Sequence, residues 1–138
     1  MNLILIFLFL LTGQAGGQKQ FDLSVLVTGI EPNTGNVIVS VYNNEKDFLG
    51  EGKEFRIQVV KAREDTDTLV FKGLPKGEYA VAIYQDRNGD GKMNKNFIGI
   101  PKEIYGFSQN FRPLISKPHF DDCRFELKNN LTITVKLK

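Results

Sequence analysis

Period-two alternation of apolar and polar residues, broken at short intervals by turn residues, runs through almost all of this chain and leaves few folds open to it. Phe21, Leu23, Val25 and Val27 alternate with Asp22 and Ser24. Val37, Val39 and Val41 face away from Ser40 and Tyr42, and Phe55, Ile57 and Val59 are expected inward against Arg56 and Gln58. A fourth run covers Thr68 to Lys72, and in a fifth, Glu78 to Gln85, Tyr79, Val81 and Ile83 oppose Ala80 and Ala82. Cys123, Phe125 and Leu127 alternate with Arg124 and Glu126, and Leu131, Ile133, Val135 and Leu137 with Thr132, Thr134, Lys136 and Lys138. Successive side chains of a strand point to opposite faces, so each run reads as a half-buried strand. No stretch of useful length carries helical periodicity, and no internal repeat is seen.

The punctuation agrees with this. Glu31-Pro32-Asn33-Thr34-Gly35 and Gly73-Leu74-Pro75-Lys76-Gly77 combine a proline that fixes φ with glycines that permit positive φ. Asn129-Asn130 reads as a two-residue hairpin turn between the last two strands. Asn43 to Gly52 is a polar loop in which Phe48 and Leu49 are expected to fold back onto the core, and small Ala80 and Ala82 let a segment pack over the second face of their strand. The expected fold is all-β: a seven-stranded Greek-key β-sandwich, immunoglobulin-like or prealbumin-like, with Val39, Ile57, Val81, Ile83, Phe125 and Ile133 in its core.

Before the first strand, Leu3 to Leu11 is nearly all Leu, Ile and Phe, the length of a signal-peptide core and too short to span a bilayer. Gly13 and Ala15 stand at the small-residue positions of a cleavage site. The expectation is a signal peptide at 1–15 and a periplasmic or secreted mature domain at 16–138 without a transmembrane segment. A domain of that size buries roughly two-thirds of its unfolded surface without disulfides, and the single Cys123 reads as a buried, inert thiol. Eighteen basic residues balance 16 acidic ones, which gives no electrostatic footprint for nucleic acid.

The stretch Asp86 to Ser108 is the part that strands and turns do not explain. Asp86, Asn88 and Asp90 recur at alternate positions, followed by Gly91, Lys92 and Asn94. Calcium loops place oxygen side chains at positions 1, 3, 5 and 9, a carbonyl at position 7 and a glycine at position 6. Calcium is therefore the candidate cofactor, with Asp86, Asn88 and Asp90 as side-chain ligands, Lys92 through its carbonyl and Asn94 directly or through water. Phe97 stands where that pattern has its bidentate acid, and Glu103 is the replacement. Only two carboxylates lie in the loop itself and Arg87, Lys92 and Lys95 oppose a cation, so the expected affinity is weak, roughly 10⁻⁴ to 10⁻³ M. The same residues also satisfy a metal-free reading, because Asn88-Gly89 and Asp90-Gly91 are turn dipeptides whose side chains cap backbone amides.

Four segments taken in order carry a resemblance: Gly73-Leu74-Pro75-Lys76-Gly77-Glu78-Tyr79, Asp86 to Asn94, Gly99-Ile100-Pro101-Lys102-Glu103, and Tyr105-Gly106-Phe107-Ser108. From about Phe21 to Lys138 the chain resembles an uncharacterised family of exported bacterial proteins, a domain of unknown function with a predicted immunoglobulin-like or transthyretin-like sandwich. The resemblance implies export and the fold, and brings no activity with it.

Function therefore rests on the residues. An enzyme is not expected, because His119, the sole histidine, lies between Pro118 and Phe120 with no nucleophile motif beside it. A non-catalytic binding or structural module fits better, its long loop at 86–121 ordered by calcium. In the alternative, Phe97, Tyr105, Phe107, Phe111 and Phe120 form a platform for a glycan or peptide; against it, a loop of this length needs rings of its own to hold it to the core. Buried rings would favour anchoring and exposed coplanar rings a platform. Edge pairing with an envelope protein is a third reading, opposed at the last strand by Lys136 and Lys138.

Overall fold

Each alternating run forms a strand, and what the alternation leaves unspecified is which strand pairs with which. The computed structural model describes residues 16–93 and 102–138. The expected leader, and Asn94 and Phe97, lie outside the described residues. The elements are β1 (Gln20–Thr28), β2 (Asn36–Tyr42), β3 (Arg56–Lys61), β4 (Thr66–Pro75), β5 (Gly77–Asp86), β6 (Tyr105–Phe107), a 3-10 turn at Ser108–Asn110, α1 (Phe120–Cys123), β7 (Phe125–Leu127) and β8 (Leu131–Lys136). A three-stranded sheet, β4-β1-β8, faces a five-stranded one ordered β3-β2-β5-β6, with β7 also paired to β5. The protein is thus an all-β, two-sheet structure.

The core between the sheets draws Leu23, Val25 and Val27 from β1, Val37, Val39 and Val41 from β2, and Val81 and Ile83 from β5. At one side the sheets are stitched together by Tyr105 and Lys138, whose backbones exchange hydrogen bonds of 3.2 and 3.1 Å. This works because residue 106 is glycine: a Cβ there would stand 2.8 Å from Val135 Cγ1 and 2.9 Å from the Lys136 carbonyl. At the opposite side the Gln58 side chain donates across to the Val70 carbonyl at 2.7 Å.

A second apolar cluster lies on the outer face of the five-stranded sheet. Tyr42, Ala80, Phe107, Phe120 and Cys123 are buried there, with Phe48, Leu49, Ala82, Tyr105 and Phe111 packed against them. The small Ala80 and Ala82 admit this layer as expected, and Phe48 and Leu49 do fold back, onto this cluster. Ser108 ties it to the sheet: its hydroxyl accepts from Val81 N at 2.9 Å and donates to the Cys123 carbonyl at 2.5 Å.

Several expectations are corrected. Eight strands are described in place of seven; the added β6 has three residues, too few to show alternation. The last two strands do not form a hairpin: β7 pairs with β5 and β8 runs parallel to β1, in the other sheet. The Asn129-Asn130 segment is therefore a corner between sheets, where Asn130 Oδ1 accepts from Asp22 N at 2.9 Å and sets β8 against β1. Cys123 is buried as expected, at the end of α1 and not in a strand.

The largest correction is in β3. Phe55 packs on the core, but Ile57 and Val59 are 50% and 56% exposed, and Val60 turns inward in their place. Phe55 N bonds the Val41 carbonyl at 2.8 Å although Val41 is in register with Arg56. Two residues thus oppose one, and this bulge flips every later side chain of β3 to the other face.

Candidate functional site

Strand β5 delivers its last residues into the special loop through two buried polar groups. Gln85, fully buried, accepts from Glu31 N at 2.9 Å and donates to the Glu31 and Thr34 carbonyls at 2.8 and 2.6 Å, clamping the β1–β2 turn. Gly35 of that turn lies against the loop so closely that a Cβ would sit 1.9 Å from the Asp86 carbonyl oxygen. Its φ of +61° also suits glycine best. Arg87 pairs with Glu31 on the surface above.

Asp86 is 1% exposed, and its two oxygens accept from Gly89 N at 3.0 Å and Gly91 N at 2.7 Å. Asn88 Oδ1 accepts from Asp90 N at 3.3 Å, and Asp90 Oδ1 from Lys92 N at 2.9 Å. The loop is wound around its own acidic side chains, with Gly89 and Gly91 at positive φ. Glu103, also buried, returns to the same place, its Oε1 accepting from Arg87 N at 2.9 Å. Tyr84 donates its hydroxyl to the Gly91 carbonyl at 3.0 Å. Burial, and then the charges of Asp86, Glu103 and Asp90, push its pKa up to about 12.

The expected residues Asp86, Asn88, Asp90 and Lys92 are therefore brought onto one turn, Glu103 is brought beside it, and Asn94 lies outside the described residues. A carboxylate oxygen that accepts one amide keeps further lone pairs, so this turn and a cation are chemically compatible. Among the described residues, no three His, Cys, Asp or Glu side chains gather as a metal-ligating group.

Beside this loop, on the same outer face, opens a cleft of about 1090 Å³. It is lined by Ile38, Ser40, Ala82 and Tyr84 of β2 and β5, by Ile57 and Val59 of β3, by Tyr105 and Phe107 of β6 and by Leu114 and Ile115, and Glu54, Lys92 and Lys117 stand among its lining residues. Leu114 and Ile115 are 95% and 99% exposed. An apolar concavity edged by a few polar groups is the usual form of a ligand site. The alternation hid this site, because the bulge that exposes Ile57 and Val59 leaves no mark in the sequence pattern. The adjacent Leu114 and Ile115 in a polar, proline-bounded segment were the available signal.

Of the loop aromatics, Tyr105 and Phe107 also line this cleft, and Phe111 and Phe120 pack with them in the second cluster. Phe107 and Phe120 are buried, and Phe48 meets Tyr42 and Phe120 edge to face at centroid distances of 5.4 and 5.9 Å. These rings hold the connection to the sheet. His119 is exposed, with Nδ1 3.4 Å from Glu45 Oε1. Burial, with Asp122 and Glu45 nearby, pushes the Cys123 thiol up to about 12, which keeps it protonated.

No curated protein and no solved structure matches this chain. One family model does, that of uncharacterized proteins conserved in bacteria (DUF2141), over residues 25–134. That match takes in every described strand from within β1 to within β8, and the chain belongs to this family.

Proposed function

We propose that the protein is a non-catalytic binding module of the bacterial envelope, periplasmic or secreted, that takes an apolar ligand in the cleft outside the five-stranded sheet. The observation that carries this reading is the set of large aliphatic side chains, Ile57, Val59, Leu114 and Ile115, left exposed around one concavity. Exposed apolar surface gathered in one place marks interaction sites. Among the described residues the catalytic alternative finds little support: the Cys123 thiol is buried and protonated, and His119 faces Glu45 in solvent. Against the aromatic glycan platform, Phe107 and Phe120 are buried, while Tyr105 and Phe111 are only partly so.

An immunoglobulin-like or prealbumin-like Greek key is the topology we favour. The chain changes sheet after β1, β3, β4 and β7, and the Tyr79 hydroxyl reaches back to the Pro75 carbonyl at 2.6 Å, as tyrosine corners do in such sandwiches. Calcium is assigned the role of stiffening the loop at one end of the cleft. The alternating Asp86, Asn88 and Asp90 on a single turn, and the return of Glu103, support that role.

The test is a titration with the environment-sensitive dye anilinonaphthalene sulfonate. The native protein is expected to enhance its fluorescence saturably, and an Ile57→Ser, Val59→Ser double variant to lose the enhancement with its melting temperature unchanged. Equal enhancement by both proteins would place the apolar surface elsewhere and sink the reading.

A further inference from the structure

We propose that an extended polypeptide segment, apolar at every second residue and flanked by acids, pairs with the outer edge of β3 as an added strand and lays its apolar side chains beside Ile57 and Val59 at the border of this cleft. This rests on the apolar face at Ile57 and Val59 being a binding site and goes further by naming the chemistry of what docks there. Four observations point the same way.

First, among the described residues β3 is an edge strand, paired with β2 alone. Ala62 N bonds the Gly35 carbonyl at 3.1 Å, and bonded positions in an antiparallel ladder recur every second residue. Val60, Gln58 and Arg56 are thereby bonded to β2, and the N–H and C=O groups of Ile57 and Val59 point away from the sheet.

Second, among the described residues another edge is capped and this one is not. Along β8, Asn110 Nδ2 donates to the Thr134 carbonyl at 3.1 Å, Asn110 Oδ1 accepts from Lys136 N at 2.9 Å, and Arg112 donates to the Lys136 carbonyl at 2.8 Å. Among the described residues, no side chain does this for Ile57 or Val59. Unpaired edge groups are a template for strand addition unless they are blocked.

Third, the side chains that accompany these backbone groups are apolar and face the cleft. A row of hydrogen-bonding groups running beside a row of aliphatic side chains is complementary to a β-strand, which carries both with the same period. A lipid tail would leave the backbone groups unmatched, and a glycan would leave the aliphatic ones unmatched.

Fourth, the only charged residues of β3 are Arg56 and Lys61. Two copies of this chain paired along β3 would bring four cationic groups together with no acid in either strand. A foreign strand with acids at its ends meets these charges favourably, and charge pairing of this kind sets which partner is accepted.

The experiment uses residues 16–138 and a synthetic peptide alternating valine and threonine between terminal glutamates, labelled for fluorescence anisotropy. Amide hydrogen exchange is read in parallel. The peptide is expected to bind and to slow exchange at Ile57 and Val59. A Val59→Pro variant removes an outward N–H without touching the β2 ladder and is expected to weaken binding about two- to tenfold, the loss of a bond between strands, with its melting temperature retained. Binding that survives Val59→Pro unchanged would overturn strand addition while leaving the cleft reading standing. Dye binding without peptide binding would overturn the peptide as occupant, again sparing the cleft. A concentration-dependent dimer abolished by Val59→Pro would show that a second copy is the occupant. Neither dye nor peptide binding would remove both readings.

Discussion

Replacing Asp86 by alanine removes the acceptor for two backbone amides at once, and the structure allows the cost to be worked out. Gly89 N and Gly91 N reach its two oxygens at 3.0 and 2.7 Å, and hydrogen bonds to a charged group are worth about 1.5–3 kcal/mol each. The sum, about 3–6 kcal/mol, is an upper bound because Gly89 and Gly91 are exposed and water replaces the lost acceptor. A destabilisation of about 1–3 kcal/mol is expected, and about half of that for Asp86→Asn, which keeps one acceptor. Urea titration is the assay, and the midpoint should fall with the slope unchanged, because the loop does not alter the area buried in the core. A change below about 0.5 kcal/mol in Asp86→Ala, the range of ordinary surface substitutions, would show that the loop is not wound on this carboxylate.

The bulge in β3 yields a paired test: Ile83→Ala, fully interior, should cost about 2–5 kcal/mol, whereas Ile57→Ala on the outer face should stay within about 0.5 kcal/mol. Similar costs at both sites, measured by denaturant titration, would restore the register read from alternation. Ser108→Ala leaves Val81 N without its buried acceptor and should cost about 1–3 kcal/mol; an unchanged midpoint would contradict the bridge to Cys123. The thiol of Cys123 should resist labelling until unfolding. Its pKa is raised from 9.0 to about 12, so the unfolded chain releases its proton first. Its stabilising contribution is then fully present below about pH 9 and is lost as pH rises towards 12, an alkaline decline that Cys123→Ala should lessen. Calcium at about 10 mM, above the expected affinity range, should raise the melting temperature of the native protein and not that of Asp90→Ala; no shift in either would leave Asp86, Asn88 and Asp90 as turn residues alone.

Alternation located the strands well because burial on one face imposes it directly: Val37, Val39 and Val41, or Val81 and Ile83, have to point the same way. It was blind wherever register or pairing depended on events outside the strand. A bulge at Phe55 and Arg56 reverses Ile57 and Val59 without changing any residue type. The partner of β8 is set by Asn130 reaching Asp22, 108 positions away in the chain, so Asn129-Asn130 looked like a hairpin turn. Three residues of β6 carry no period at all. Within the site, the regular spacing of Asp86, Asn88 and Asp90 was legible, as was the possibility that Glu103 returns to the loop. Gln85, which holds the turn beneath it, looked like an ordinary strand end. The motif Tyr105-Gly106-Phe107-Ser108 turns out to be architectural: Gly106 admits β8, Phe107 fills the outer cluster and Ser108 links β5 to α1.

Native mass spectrometry of the protein purified from its own host tests the central claim, that the outer face of β3 and the Leu114–Ile115 segment form a ligand site, most directly. The account requires a non-covalent adduct on the wild-type chain that is absent from the Ile57→Ser, Val59→Ser variant isolated in the same way. A wild-type chain that carries no adduct, or an adduct that persists in the variant, would contradict it.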